Sequence, residues 1–165
     1  MAYYKVSVAE ILKDKPVNTK LYSPLFGDVY FSHVEDSIIN VEHHAGVSKF
    51  FNSGRYYNFD ESEPLLFPSM EMRDWEKFSW KRGDVLVNSR GLKILFDRWA
   101  NDNYTSFYAK TINLVEDGFL DTNLHTLASE KEAKSFIKCI EEKLGGKLNR
   151  ETLEVEKAQP EFKDG

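Results

Sequence analysis

"GDVYFSHVEDSIINVEH", Gly27 to His43, decides the fold class. Apolar and polar residues alternate through "GDVYFSHV" and again through "SIINVEH", with turn residues in "VEDS" between them. A strand turns successive side chains to opposite faces, so this period of two reads as a hairpin with one buried face. The pattern extends outward from Thr19 to Phe67 through "HHAGVSKFF" and "FNSGRYYNF", where Gly46 and Gly54 are placed to take positive φ at bends. About five strands in so short a span exclude a parallel sheet, because each parallel crossover needs a dozen residues or more. The expected solution is a small antiparallel, SH3-like or barrel-like unit, whose curling protects its edges.

The expected architecture is mainly β (α+β), in two such units. The first occupies residues 1–68 and opens with a short helix in "SVAEILKDKP", with a capping box in Ser7 and Glu10 and a stop at Pro16. A linking helix is expected over 69–80, with Ser69 as N-cap and Met72 and Trp75 three apart on one side. The second unit, 81–157, begins with two strands in "DVLVNSRGLKILFDRW" around a turn at Ser89–Gly91. Further turns are expected at Asn101–Asn103 and Glu116–Gly118, either side of "YTSFYAKTINLV". "SEKEAKSFIKCIEEKLGG" then carries a capping box in Ser129 and Glu132, an apolar stripe of Ala133, Phe136, Ile137, Ile140 and Leu144, and Gly145 as a left-handed stop. A hairpin around Asn149–Glu151 and a loose tail, 158–165, complete the chain. Gly-Asp-Val before a hairpin occurs at Gly27 and at Gly83, a hint of two related units.

Composition narrows the function classes. At 165 residues, with 41% hydrophobic and 30% charged residues, the chain can bury a core without staples. The single Cys139 excludes an intramolecular disulfide and a multi-cysteine zinc site, which suits a reducing compartment. There is no apolar run of signal-peptide type and none of 18 or more residues, so a cytoplasmic protein with no membrane helix is expected. A net charge of −5 argues against a surface built throughout to neutralise phosphates. Phosphate loops of the G-x-x-x-x-G-K-[ST] or G-x-G-x-x-G kind and the G-x-S-x-G elbow are all missing, and Cys139 has no activating neighbour in sequence. No catalytic residue and no cofactor is therefore expected.

Two constellations remain. Between Arg73 and Arg98, seven basic residues outnumber four acidic ones, with Trp75, Trp80, Phe96 and Trp99 interleaved. Stacking faces beside cations bind single-stranded nucleic acid, which makes Trp80, Arg82, Arg90, Lys93, Arg98 and Trp99 the candidate contacts for that reading. His33 and His43 fall on neighbouring strands near Glu35, Asp36 and Glu42, the donor types of a divalent-metal site. His43 and His44 point to opposite faces, so only one of them can join His33.

"LLFPSMEMRDWEKF", Leu65 to Phe78, resembles an L-F-P-S-x-x-x-R-D-W-x-x-F segment of uncharacterised proteins from Bacteroides-type gut bacteria and their phages. "TKLYSPLFGDV" and "ASEKEAKSFI…LNRETLEVEK" are similar to other segments of that group. The matching residues are Leu66, Phe67, Pro68, Ser69, Arg73, Asp74, Trp75 and Phe78; Met70 and Met72 depart from it. The resemblance implies a small β-rich fold with a terminal helix in a bacterial or phage setting, and no activity. Each piece of the segment has a local structural role, so Phe67, Ser69, Trp75 and Phe78 are read as a staple joining the two β units. The leading expectation is a non-enzymatic binding or adaptor protein that engages a protein partner by edge strands or a groove. Single-stranded nucleic-acid binding is the alternative, and a small metal-dependent hydrolase the second alternative.

Overall fold

The computed structural model describes residues 7–57 and 63–157. The tail 158–165 and the end of the expected "FNSGRYYNF" strand lie outside the described residues. The chain divides into two units, Met1–Ser79 with Asn101–Thr105, and Trp80–Ala100 with Ser106–Gly165. Asn101–Thr105 thus belongs to the first unit although the strands on either side of it belong to the second. The architecture is mainly β, with antiparallel sheets of four, five and two strands and few helices.

In the first unit, strands β1 (Lys20–Ser23), β2 (Gly27–Glu35), β3 (Ile38–His43) and β4 (Gly46–Phe50) form a sheet in chain order. The β2–β3 turn places Asp36 and Ser37 at φ 51° and 63°, both positive as a tight two-residue hairpin turn requires. Beyond β4 no fifth strand forms among the described residues. Phe51 N–H donates to Arg55 O and Gly54 N–H to Phe51 O, a tight reversal that leaves only single bridges such as Phe50↔Tyr56 and Arg55↔Pro64. Pro64 has no N–H with which to extend a ladder.

The described residues show no closed barrel, contrary to the expected closure. The outer strands are covered differently. Tyr22 and Phe67 exchange two backbone bonds of 2.8 Å at the free edge of β1, and Tyr57 N–H donates to Lys49 O at that of β4. Irregular segments thus satisfy edge groups that closure would otherwise have paired. Helix α1 (Val8–Leu12) packs on β2 and β3 and buries Val8, Ala9 and Leu12. Ser7 accepts from Glu10 N–H as expected, but the acid of Glu10 pairs with Lys13 rather than reaching back. Asn52 supplies the rest of the cap, accepting from Ser7 Oγ and Ala9 N–H.

Helix α2 is a single turn, Trp75–Phe78, capped by Asp74 and not by Ser69. Ser69 instead closes the preceding turn: its Oγ accepts from Met72 N–H at 2.8 Å and donates to Asn103 O at 2.6 Å. Asp74 wins because its carboxylate reaches Lys77 N–H, three residues on, where the helix begins. Met72 therefore lies outside the helix, yet it is buried.

The second unit holds β5 (Val85–Asn88), β6 (Lys93–Trp99), β7 (Ser106–Lys110), β8 (Glu116–Asp121) and β9 (His125–Leu127), ordered β8-β7-β6-β5-β9, with a 3-10 turn at Thr122–Leu124. Helix α3 (Glu130–Leu144) has its full Ser129/Glu132 capping box and ends at Gly145 with φ 71°. Its stripe meets Val85, Leu95 and Ala128 on one face of the sheet, together with Leu153 of the β10 (Lys147–Asn149)–β11 (Glu154–Glu156) hairpin. The other face carries Leu86, Ile94, Phe96, Phe107 and Ala109 with Trp80.

One expected turn is a strand. Glu116–Gly118 opens β8, and the reversal lies earlier, where Thr111 N–H donates to Val115 O and Leu114 takes φ 58°. Gly118 is needed for closeness rather than for turning, since a Cβ there would lie 3.0 Å from the Tyr108 ring. The two Gly-Asp-Val runs are not equivalent either: Gly27 opens the second strand of its meander, and Gly83 precedes the first strand of the other. Each marks a turn into a strand, at φ 78° and 91°.

Candidate interaction surface on the second unit

The residues of the quoted Leu65–Phe78 segment are held inside the first unit. Trp75 is buried and donates its indole N–H to Leu66 O at 3.0 Å. Its ring meets Phe78 edge-on at 5.5 Å, and Phe78 meets Tyr104 at 4.7 Å. Tyr104 donates its hydroxyl to Lys20 O at 2.6 Å. Burial, then the charge of Asp102, push that phenol up to about 12. Arg73 is exposed but lies over the Phe67 ring at 4.7 Å. Every matched residue of the segment has a local partner or a buried place, and none presents a free ring to solvent.

The basic-aromatic residues are distributed differently from a stacking groove. Trp80 is buried between Phe96 and Phe107, and Trp99 stacks on Trp80 at 5.8 Å. Arg82 and Arg98 both converge on Asp97, at 3.0 and 2.6 Å. Lys93 faces Glu132 at 4.0 Å, and Arg90 sits on the β5–β6 turn away from these pairs. Asp97, 8% exposed, is a buried anion that neutralises the patch locally. Its burial is not legible in the sequence, where an acid in a strand is expected outward. Ile94 to Asp97 are buried in succession because both faces of the sheet are covered, Ile94 and Phe96 in the Trp80 cluster and Leu95 under α3, and a β-bulge follows Phe96.

The histidines are not brought together. His33 pairs across the ladder with Asn40, while His43 lies three residues further along β3, on the order of 10 Å at strand spacing. His43 Nδ1 accepts from Ala45 N–H, so Nε2 carries the proton and donates to Ser48 Oγ at 2.7 Å. Its ring stacks on Phe26 at 3.9 Å. Burial, then neighbouring His44, lower its pKa, which favours this neutral form. Among the described residues no three His, Cys, Asp or Glu are grouped to hold a metal ion. His125 is buried and hydrogen-bonds Asp121 O, and Cys139 is exposed on α3.

Two concavities stand out. In the first unit a cleft of about 180 Å³ is lined by Lys20, Tyr22, Asp28, Ser69, Met70 and Asp102 among others. Lys20 lies 3.4 Å from Asp102 and 3.7 Å from Asp28. Desolvation opposes its charge, but the two carboxylates prevail and raise its pKa. That ion cluster satisfies itself. In the second unit a groove of about 440 Å³ is lined by Leu114, Leu144, Leu153 and Val155, with Lys110, Lys157 and Glu154 among its polar residues.

Beside that groove runs an exposed stripe. Arg98 pairs with Tyr108 across β6–β7, and its guanidinium lies 4.3 Å above the Tyr108 ring. Tyr108 meets Phe119 at 5.3 Å. Opposite Tyr108 the β8 strand bulges, with Gly118 and Phe119 facing one residue. Phe119 takes φ 58° and is 73% exposed, the most exposed large apolar side chain of the described residues. A left-handed backbone costs an aromatic residue about 1–2 kcal/mol. A ring 73% exposed on an edge strand recovers little of that by burial. Bulges re-aim side chains, and strain held at an exposed aromatic points to use at a contact. Around the ring β8 carries Glu116, Asp117 and Asp121, and Arg98 of β6 pairs with Glu116 at 3.3 Å. Comparison with protein-family models, with curated proteins and with solved structures gives no match for the chain. The site is therefore interpreted from its own geometry.

Proposed function

We propose that the protein is a non-enzymatic binding or adaptor module that engages a protein partner through the exposed β6–β8 face of its second unit. The observation that carries this reading is Phe119, strained, bulged outward and solvent-exposed beside Tyr108 and Arg98. Aromatic side chains and arginine are the residues that most often carry interface energy. The carboxylates of β8 favour a protein over a phosphate backbone at this face. The SH3-like reading belongs to the same proposal, supported by five antiparallel strands in the order β8-β7-β6-β5-β9 with a 3-10 turn before the last. We also keep, as proposals, the kinship with the bacterial and phage group and a cytoplasmic setting. In support of the latter, no helix among the described residues is long and apolar enough to cross a membrane.

The test is site-specific photo-crosslinking in host extract, with the photoreactive side chain at position 119 or, as control, at exposed Leu92 on the β5–β6 turn. The expected result is a discrete protein adduct at 119 alone. Equal labelling at both positions, or an adduct of nucleic acid, contradicts the reading.

A further inference from the structure

We infer that the partner this face takes is a second copy of the chain: Phe119 of one copy enters the lysine-rimmed apolar groove of the other, and reciprocally. This rests on the protein-binding reading just given and names its occupant.

Ring and groove lie on one face of the same sheet. Paired residues of a ladder share a face, so Val85, Leu95 and Lys110 face α3 together. Tyr108 is two residues from Lys110 and shares that face, and the Phe119 ring packs against Tyr108. Helix α3 and the β10–β11 hairpin cover the Val85–Leu95 part of the face, while the Arg98–Tyr108–Phe119 stripe is not buried by them. The groove is at the margin between the two parts, where Lys110, Leu114, Leu144 and Val155 meet. A projecting ring beside a receiving groove on one face is the self-complementary pattern that a twofold axis closes into a dimer.

Charge selects the same occupant. Glu116 and Asp121 flank Phe119 on its face, in register with Lys110 and Ser106; Arg98 holds Glu116 at 3.3 Å, and Asp121 also accepts from Asn123 N–H at the head of the 3-10 turn. The groove has two lysines against Glu154, and neither lysine has an ion pair among the described residues. With Glu116 held by Arg98, Asp121 is the acid beside the ring that can meet the lysine-rimmed apolar hollow of the other copy. Simple edge-to-edge pairing of two β8 strands is disfavoured, because an antiparallel arrangement about Phe119 sets Glu116 and Asp117 near the other copy's Asp121. The bulge in β8 also spoils the edge as a template for strand addition. The copies dock by side chain into groove.

Sedimentation of the full chain over a range of concentrations tests this. The wild type is expected to shift from monomer to dimer, with weaker association at higher salt. Phe119→Gly, which suits the left-handed backbone, is expected to weaken dimerisation about thirtyfold, the scale of an interface hot spot. Asp121→Lys and Lys157→Glu are each expected to weaken it alone and to recover it when mixed, since each ring then meets a groove of opposite charge. Thermal melts confirm that each variant folds. A monomeric wild type at all concentrations overturns the inference, as does an Asp121→Lys and Lys157→Glu mixture no tighter than its components. In either case a crosslink from position 119 to an unlike protein leaves the protein-binding reading standing, whereas no protein adduct at 119 removes both.

Discussion

The two units build the same meander and finish it in opposite ways. β1–β4 and β5–β8 each run antiparallel in chain order, and in each the second strand bulges against the third, between Phe31 and His33 and between Phe96 and Arg98. The first unit adds a segment with almost no regular structure, Leu65–Phe78, fixed by Ser69, Asp74 and the Trp75 indole N–H. The second adds a four-turn amphipathic helix, α3, docked by its stripe. The first unit buries Trp75, Phe78 and Tyr104 and exposes only tyrosines, Tyr30 and Tyr57, to a comparable degree among its described aromatic residues. The second leaves Phe119 and part of Tyr108 in solvent. The difference separates a distinctive sequence from an exposed one: the rings of Leu65–Phe78 are packed within their unit, and the plain "EDGFLD" presents the most exposed large apolar side chain of the described residues.

The sharpest way to break this comparison is Trp75→Ala. Removing a buried indole costs about 3–5 kcal/mol and orphans Leu66 O. A fall in melting temperature on the order of 10 °C is expected by calorimetry. An unchanged melt would mean that the ring is not interior.

Next in size is a pair of substitutions in the second unit. Gly83 and Gly91 both have positive φ, at 91° and 80°, but a Cβ on Gly83 would lie 2.6 Å from Arg150 backbone and side-chain atoms, and one on Gly91 meets nothing within 4 Å. Gly91→Ala should cost about 1 kcal/mol for its backbone alone. Gly83→Ala should cost clearly more by denaturant titration, and equal costs would contradict the close approach of the β10–β11 turn.

Ser69→Ala is expected to cost about 1–2 kcal/mol, because two backbone groups lose their partner while the helix cap at Asp74 is untouched. Helix loss of the kind an N-cap substitution produces would contradict the placement of Ser69 outside α2.

The smallest effect is one of pH. Tyr104 is pushed up to about 12 by burial and by Asp102. An unfolded tyrosine ionises near 10, so this contribution is fully present below that pH and is lost as pH rises through the folded value. Stability should fall more steeply above pH 10 in the wild type than in Tyr104→Phe. Identical slopes would show Tyr104 to be solvent-like.

Legibility in the sequence followed local consistency. The β2–β3 hairpin was legible because alternation and turn residues agree over Gly27–His43, and α3 because the capping box, stripe and Gly145 agree. The helix cap is not legible, because Ser69 and Asp74 both suit the role in sequence and only the tertiary bond of Ser69 to Asn103 O distinguishes them. β8 resembles a turn in sequence because Asp117-Gly118 is strong turn chemistry. The glycine is there for the Tyr108 ring instead. Missing β8 meant missing Phe119. The burial of Asp97 is not legible for the same kind of reason, since Arg82 and Arg98 converge on it only in the folded sheet.

The central claim is that Phe119 serves contact and not folding. Its most direct test is Phe119→Gly, with melting temperature and sedimentation measured on the same sample. A melting temperature equal to or above the wild type at concentrations where the wild type is monomeric, with dimerisation weakened about thirtyfold at higher ones, is the predicted result. Unchanged association, or a cooperative loss of folding, would contradict it.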